Sequence, residues 1–318
     1  MAQEPSSDAR GFSPSPGPWQ SDLSNGSVSP AEANATGNIT QTPLGDDKSS
    51  FNYMIIVKAV VLLIDLFGLV GNGTVIWLLG FRVKRNPFSV YVLNLAIADF
   101  TYLLCMAATL FVAITVTEHL KMFILPVLST SYLAGMFLLM AISTERCISA
   151  LFPIWYRSHR PAHLSAIVCA VLWGLSLCLG TLWLFCDFSM ELPCKHRFLV
   201  YIVLFFITLL EVCVSSLTLL LRIRYGSSRR HSTKLYRVIL LAVLAFLALG
   251  LPLNLGFLVT ILQPEPLEFY RFIYIFYIPS VLNSTVNPVI YFFVGRQGQL
   301  PGRKALRDVL QSALTEDT

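Results

Sequence analysis

Two adjacent charges, Glu145 and Arg146, lie at the end of a long apolar run, in the stretch AISTERCISALFPIWYRSHRP from Ala141 to Pro161. A charged side chain costs much free energy in hydrocarbon, so both are expected to face protein or water rather than lipid. An acid and a base in such a place are by default a candidate functional site.

A second set of polar residues lies inside apolar segments at a similar depth. It comprises Asn72, Asp99, Asn283, Ser284 and Asn287. Each needs a partner inside the protein, and a shared polar centre is the simplest arrangement. The alternative is that Asp99 is an isolated structural hydrogen-bonding residue, because packing networks also bury carboxylates.

Prolines lie within or beside several apolar segments, at Pro126, Pro252, Pro279 and Pro288. Inside a helix, proline removes a backbone hydrogen bond and bends the axis. Membrane bundles tolerate this where neighbouring groups recover the bond. Pro252 and Pro288 are therefore candidate hinges, and the alternative is that they only shape static helices.

The elements that must position these residues are membrane helices. The chain has 318 residues, of which 55% are hydrophobic and only 13% charged, a composition unlike that of a water-soluble domain. About 20 apolar residues cross the hydrocarbon core as a helix. Seven candidate spans lie at 53–80, 88–113, 121–151, 164–186, 198–221, 236–262 and 269–294. Broad apolar faces without β alternation predict an all-α membrane protein, a seven-transmembrane helix bundle.

The two ends of the chain differ from the bundle at 52–295. Residues 1–51 are rich in Ser, Pro, Gly and Asn and predict a disordered extracellular tail. That tail holds three glycosylation sequons, at Asn25, Asn34 and Asn38. Residues 296–318 are expected to be a cytoplasmic tail. Within it, 303–314 predict a short amphipathic helix on the inner membrane surface, with Leu306, Val309, Leu310 and Ala313 on its apolar face.

Basic residues predict the orientation. With the N-terminus outside, the inner segments hold fifteen Lys and Arg and the outer segments seven. Basic residues favour the cytoplasm, so we expect a multi-pass cell-membrane protein with an extracellular N-terminus and a cytoplasmic C-terminus. The net charge of +5 then follows from topology and gives no reason to expect nucleic acid as a partner.

Seven cysteines occur, and five of them fall within predicted spans, where a lone cysteine is more often a packing residue than a reactive thiol. Cys186 and Cys194 lie at the outer end of span four and in the following loop, on the oxidising side. We expect a disulfide between them, contributing about 2 to 3 kcal/mol in the chain-entropy model. Two free thiols are the alternative, since spacing does not prove connectivity.

The ordered motifs resemble those of rhodopsin-like G-protein-coupled receptors. They are Asn72, Asp99 in NLAIAD, Glu145 and Arg146 in TERC, Trp173, Pro252, and Asn287, Pro288 and Tyr291 in NPVIY. The longer strings RNPFSVYVLNLAIADF, AISTERCISALFPIWYRSHRP and NPVIYFFVG resemble the Mas-related subfamily over about residues 53–314.

The resemblance implies roles for these residues. Arg146 resembles the arginine that its neighbouring acid holds at rest and that meets the G-protein α-subunit when span six swings outward. Asn287, Pro288 and Tyr291 resemble the motif of span seven that rearranges. Asp99 and Asn72 look like a pocket where sodium binds in many relatives. The implied partners are a heterotrimeric G protein, an extracellular ligand, arrestin and membrane lipid.

Several positions depart from the family pattern. Twenty-five residues before Arg146 stands Lys121, so the usual bridge from span three cannot form, and the Cys186 and Cys194 pair replaces it as in Mas-related receptors. Gly250 stands two residues before Pro252, where many relatives carry a tryptophan. Activation cannot then depend on the rotation of a bulky side chain at this position. A ligand that binds closer to the extracellular surface is therefore favoured.

Two further departures concern the sodium ion and the restraint on Arg146. Gly135 stands where sodium-binding relatives usually supply a hydroxyl, so one of the usual ligands of a sodium ion is missing here. Ser232 replaces the acid of span six that frequently pairs with the span-three arginine. This suggests some basal activity.

The ligand class is less closely indicated. The acids that several Mas-related receptors use for cationic ligands are here Leu182 and Phe198, which disfavours a strongly basic peptide anchored in that way. Other acids could serve, namely Asp65, Glu118, Asp187, Glu191 and Glu268, although each is more typical of a solvated loop or helix-end charge. Glu211, near the middle of span five, is the strongest candidate for an unusual pocket or switch residue.

Aromatic residues gather in the outer half of the predicted bundle. Most of them fit an interfacial belt, and a minority from spans five to seven should line a ligand cavity. The candidates with Glu211 are Trp183, Tyr201, Phe257, Tyr274 and Tyr277. By family analogy we expect a peptide or small amphipathic ligand and coupling to Gq or Gi.

Other function classes have less support. A transporter would carry inverted repeats and broken half-helices around a central site, and the sequence shows neither internal similarity nor an even pair of halves. The sequence contains no metal-ligand spacing, nucleophile motif or phosphate loop, so we expect neither an enzyme nor a metal or other cofactor. A receptor-like modulator that pairs with other receptors is the remaining alternative.

Overall fold

The computed structural model describes residues 44–83, 86–115, 118–181, 191–225, 233–262, 266–296 and 305–314. Every regular element among them is helical. In chain order they are α1 (Leu44–Trp77, continued by a π-helical turn over Leu78–Arg82), α2 (Pro87–Thr115), α3 (Glu118–Leu151), α4 (Pro153–Ser158), α5 (Leu164–Gly180), α6 (Glu191–Tyr225), α7 (Thr233–Leu262), α8 (Pro266–Arg296) and α9 (Leu306–Leu314). Spans one to seven are α1, α2, α3, α5, α6, α7 and α8.

The outward faces of these helices are apolar. On span one, Leu63, Phe67 and Val70 are all more than 60% exposed. Five helices contain stretches long and apolar enough to cross a membrane, at Ile55–Arg82, Pro87–Phe111, Phe123–Leu151, Leu199–Arg222 and Arg237–Gly256. Because water would not favour such a surface, the described bundle is that of a multi-pass membrane protein.

Helix ends differ from the hydropathy boundaries. Span one is helical from Leu44, inside the region predicted to be a tail, because hydropathy detects only the apolar part of a helix. Span four was predicted to reach residue 186, but its α-helix ends at Gly180 and Thr181 caps it. Its 17 residues rise about 25 Å, slightly less than the hydrocarbon thickness.

The main core contains residues of all seven spans. Leu95, Leu133, Leu138 and Phe205 are almost completely buried there. A smaller cluster joins spans one, two and seven around Val61, Leu103 and Val281. Span three has neighbours on several sides, so a polar residue on almost any of its faces meets protein.

The short helix α9 follows span seven and packs against spans six and seven. Its apolar face buries Val309, Leu310, Ala313 and Leu314. Leu306, at the start of the same stripe, is 57% exposed, and Leu314 adds to the buried residues at its other end. The Asn86 side chain, before span two, donates to the Leu314 carbonyl at 3.1 Å and so helps to hold the end of α9.

Candidate functional site

Glu145 is the centre of a hydrogen-bond cluster at the end of span three. Its Oε1 accepts from the Tyr156 hydroxyl at 2.7 Å and from Arg160 Nε and Nη2 at 3.0 and 2.5 Å. Its Oε2 accepts from the Tyr91 hydroxyl of span two at 2.9 Å. We call Glu145, Tyr91, Tyr156 and Arg160 the Glu145 cluster.

The chain reversal after span three brings this cluster together. Phe152 leaves helical geometry with φ −125° and ψ 60°, and Pro153 then begins α4. Proline is preorganised for the first position of a helix, so the turn is sharp. It carries Tyr156 and Arg160 back against Glu145.

The Glu145–Arg160 ion pair is buried, with side-chain exposures of 9% and 5%. Removing one partner of such a pair leaves an uncompensated charge and typically costs about 3 to 5 kcal/mol. Burial raises the pKa of the Tyr156 hydroxyl to about 12, although the positive charge of Arg146 opposes the shift. Tyr156 therefore stays protonated at physiological pH and remains a hydrogen-bond donor to Glu145.

Arg146 is also buried, at 4% exposed. Its guanidinium carbon lies 4.3 Å from the centroid of the Phe88 ring, a cation–π geometry. Span two thus contacts both charged residues, Arg146 through Phe88 and Glu145 through Tyr91. The two charges predicted to avoid lipid do so by facing span two and α4.

The predicted polar centre is largely assembled around spans one, two and seven. Asn287 donates to Asp99 Oδ2 at 2.8 Å, and Asn72 donates to the Ser284 carbonyl at 3.0 Å. Asn283, which was grouped with them, is only half-buried. Asp99 is hydrogen-bonded to the span-seven motif, so it is not an isolated residue.

The residues around Asp99 can be tested as ligands for a sodium ion. A Cβ built on Gly135 would lie 3.6 Å from Asp99 Oδ1, so this position faces the carboxylate but brings no oxygen to it. One of the two Asp99 oxygens already accepts from Asn287. The residues therefore fit an ion poorly, and we derive no step from sodium.

The rest of the span-seven motif is buried in the same region. Tyr291 is 3% exposed, and Pro288 packs against span one, where its ring lies 3.2 Å from a Cβ built on Gly71. In span four, the Trp173 indole donates to Asn94 of span two at 3.1 Å. Span two therefore binds groups from several neighbouring helices.

Gly250 lies against an aromatic pair rather than an open slot. A Cβ built there would lie 3.3 Å from the Phe205 ring and 3.5 Å from Phe246, and these two rings are 5.5 Å apart. They occupy the space above the glycine. Two residues beyond Pro252, the Asn254 amide donates to the Gly250 carbonyl at 2.9 Å, which ties the two sides of the proline together.

Glu211 accepts a hydrogen bond from Thr144, the residue before Glu145. It therefore lies beside span three near the Glu145 cluster. Tyr201, its companion in the predicted pocket, is ten residues away on the same helix, about 15 Å along the axis. The two belong to different levels of the bundle, so the hypothesis of one pocket containing both is not supported.

Several predicted residues lie outside the described part of the chain. They are Asn25, Asn34, Asn38, Trp183, Cys186 and Ser232, together with the side chains of Cys194, Phe257 and Tyr274. The five other cysteines are free thiols within spans; Cys105 and Cys169 are buried, as a packing role requires, whereas Cys178 is exposed. Tyr277 is half-buried beside the small cluster of spans one, two and seven.

The sequence did not indicate three members of the Glu145 cluster, Tyr91, Tyr156 and Arg160. It also gave the wrong environment for one acid, Asp65. Tyr156 and Arg160 lay in the same quoted stretch, but only the chain reversal shows that they turn back. Asp65 was expected to be a solvated charge, whereas it is completely buried in span one. It precedes Asn72 by seven residues, two helical turns, so its inward direction could have been inferred.

Comparison with known proteins agrees with this geometry. Residues 71–291 match the family model for the seven-transmembrane receptors of the rhodopsin family. The chain is 41% identical over 286 residues to Mas-related G-protein coupled receptor member X1 from Homo sapiens, covering 86% of this chain and 88% of that protein. It is 42% identical over 289 residues to member A6 from Mus musculus, covering 83% and 91%. The chain belongs to the Mas-related G-protein-coupled receptors of the rhodopsin family.

Proposed function

We propose that this receptor binds an extracellular peptide or small amphipathic ligand and activates a heterotrimeric G protein of the Gq or Gi class. Its N-terminus lies outside the cell in this proposal, and the Glu145 cluster faces the cytoplasm. The observation that carries the proposal is the arrangement at the end of span three, where Arg146 rests on Phe88 beside an acid that other donors already hold.

Arg146 is the residue through which the G protein is recognised. Its cation–π contact with Phe88 is worth about 0.5 to 2 kcal/mol and holds the guanidinium against span two in the resting arrangement. The carboxyl-terminal helix of a G-protein α-subunit presents backbone carbonyls, which a guanidinium can bind. Outward movement of span six, with Pro252 as its hinge, opens the space for that helix.

The Glu145 cluster sets how strongly Arg146 is restrained. Arg160 neutralises the Glu145 carboxylate, so less of its charge acts on Arg146. This supports measurable signalling without ligand. The receptor transmits a conformational change and needs no catalytic step of its own.

The test is a G-protein dissociation panel in cells that express the full chain, first without ligand and then with a peptide library. At least one subtype should respond, and Arg146→Ala should reduce that response to background. Arg82→Ala is the matched control, because Arg82 is an exposed arginine near the end of span one and should leave the response unchanged. Full signalling by Arg146→Ala would contradict the proposal.

A further inference from the structure

Asp65 is a carboxylate in the interior of span one. It lies on the same inward stripe as Val61, Gly68 and Asn72, opposite the lipid-facing residues of that helix, and it has no exposed surface. It is the eleventh residue of the apolar stretch Ile55–Arg82, about 15 Å from its start. A charge at this depth is rare and usually functional.

Neither oxygen of Asp65 has a hydrogen-bond partner among the described residues. Asp99 and Glu145, the other acids that are buried among the described residues, differ in this respect, because Asp99 accepts from Asn287 and Glu145 accepts from three side chains. Leaving a buried carboxylate unsatisfied costs several kcal/mol. Asp65 therefore contributes little to the stability of the bundle and is suited to a group that arrives from outside.

A belt of hydroxyl and amide groups lies next to Asp65. Val61, one helical turn before Asp65, packs in the same buried cluster as Tyr102, and the Tyr102 hydroxyl is 2.7 Å from Ser280 Oγ. The Tyr102 and Tyr132 ring centroids are 6.0 Å apart, and the Tyr132 hydroxyl accepts from the Asn254 amide at 2.8 Å. We call Asp65, Tyr102, Tyr132, Asn254 and Ser280 the polar belt.

The belt lacks donors at both of its ends. Asp65 supplies two unpartnered acceptor atoms in span one, and Asn254 Oδ1, buried in span six, is also without a partner among the described residues. The missing groups must therefore be hydrogen-bond donors. Beside a carboxylate and two tyrosine rings, the most favourable donor is a cation.

We propose that Asp65 is the anionic anchor for a protonated amine of the extracellular ligand. This inference rests on the proposed function, since it assigns the ligand's chemistry to that receptor. The amine belongs either to a small molecule or to the terminus of a peptide, because both present the same ammonium group. Where the ligand is a peptide, one of its amide N–H groups donates to Asn254 Oδ1.

Occupancy of this site is coupled to the shape of the bundle. Because Asp65 has no exposed surface, an amine reaches it only when neighbouring side chains move aside. The ligand thus stabilises the arrangement in which they have moved. The belt ends two residues from Pro252, so the same ligand can bias the hinge of span six.

The test measures thermal unfolding of the purified full-length receptor in detergent. Phenethylamine is compared with 2-phenylethanol, and the dipeptide amide Phe-Gly-NH₂ with its N-acetylated form. At a concentration of about ten times its dissociation constant, a bound amine should raise the melting temperature by about 2 to 4 °C. The two uncharged analogues should not raise it. A shift with either amine supports the proposal and identifies its source.

Variants test whether the amine-dependent shift requires Asp65. Asp65→Asn should fold with its own cooperative transition and lose the amine-dependent shift, whereas Asp65→Glu should retain part of it. Asp308→Asn, which alters an exposed acid on α9, is the matched control and should keep the full shift. Equal stabilisation by amine and alcohol, an undiminished shift in Asp65→Asn, or an Asp65-dependent shift produced only by replacing potassium with sodium would overturn the proposal.

The binding test and the G-protein panel fail independently. If the panel responds but no amine acts through Asp65, the amine anchor is wrong and the receptor function stands. If amines bind through Asp65 while no G protein responds in any condition, the anchor stands as a binding site and the proposed coupling is wrong.

Discussion

At the scale of single residues, the buried acids of the described bundle differ in their hydrogen-bond partners. Glu145 is surrounded by donors, Asp99 is tied to span seven, and Asp65 has no hydrogen-bond partner among the described residues. The three acids look alike in the sequence, since each interrupts an apolar segment. Their functions diverge because of which neighbours the fold brings to them.

Arg160 provides a direct test of the Glu145 cluster. In Arg160→Ala, the Glu145 carboxylate loses its buried counter-charge, so its attraction for Arg146 increases. We expect ligand-free G-protein activation to fall, by about tenfold for each 1.4 kcal/mol transferred to the resting state. The melting temperature should fall as well, because a buried ion pair has been broken.

Arg160→Lys is the control for this experiment, because lysine keeps the positive charge and should keep most of the basal signal. Basal activity can be measured in the same dissociation assay at matched surface expression. A rise in basal signal for Arg160→Ala would show that the ion pair restrains the active state rather than relieving Arg146.

At the scale of helices, spans three and four make one very close contact. A Cβ built on Gly180 would lie 2.8 Å from the Thr130 backbone nitrogen and 2.9 Å from its Cα. Neither of those atoms can move without moving span three. The Ser129 hydroxyl also donates to the Gly180 carbonyl at 3.1 Å, which adds a polar link at the same point.

Gly180→Ala should therefore separate the two helices and destabilise the receptor by about 1 to 3 kcal/mol, the usual cost of overpacking. Gly174→Ala is the control on the same helix, because a Cβ there meets no described atom within 4 Å. It should be neutral or slightly stabilising, since alanine favours helix over glycine. Thermal unfolding in detergent compares the two, and equal melting temperatures would contradict the close contact.

The sequence predicts helices better than it predicts contacts between them. Apolar length alone indicated the spans and placed Glu145, Arg146, Asp99 and Asn72 inside them. The partnership of Glu145 with Arg160 depends on a chain reversal at Phe152, which no periodicity reports. The aromatic pair above Gly250 comes from spans five and six, so its filling role could not be read from either helix alone.

At the scale of the whole molecule, span two connects three polar levels. It contributes Tyr102 to the polar belt, Asp99 to the polar centre and Tyr91 to the Glu145 cluster. Eleven residues separate Tyr102 from Tyr91, which is about 16 Å along the helix. A ligand at the belt and a G protein at Arg146 would therefore act on the middle and on one end of the same helix, and we expect the flexible step to lie elsewhere.

Span six is the element that we expect to provide that flexible step. Substitution of its Pro252 tests whether this proline is a hinge or only shapes a static bend. Spin labels at Ile154→Cys on α4 and Leu240→Cys on span six, with the exposed Cys178 replaced by Ser, report the distance between exposed positions on these elements. In the presence of G protein this distance should increase.

Pro252→Ala should restore the backbone donor and stiffen the helix, so that the increase is reduced while the receptor still folds. Pro126→Ala, within span three, should leave the increase intact. If Pro252→Ala opens as far as the unaltered receptor, the proline only shapes a static helix, and the polar belt must reach Arg146 by another route.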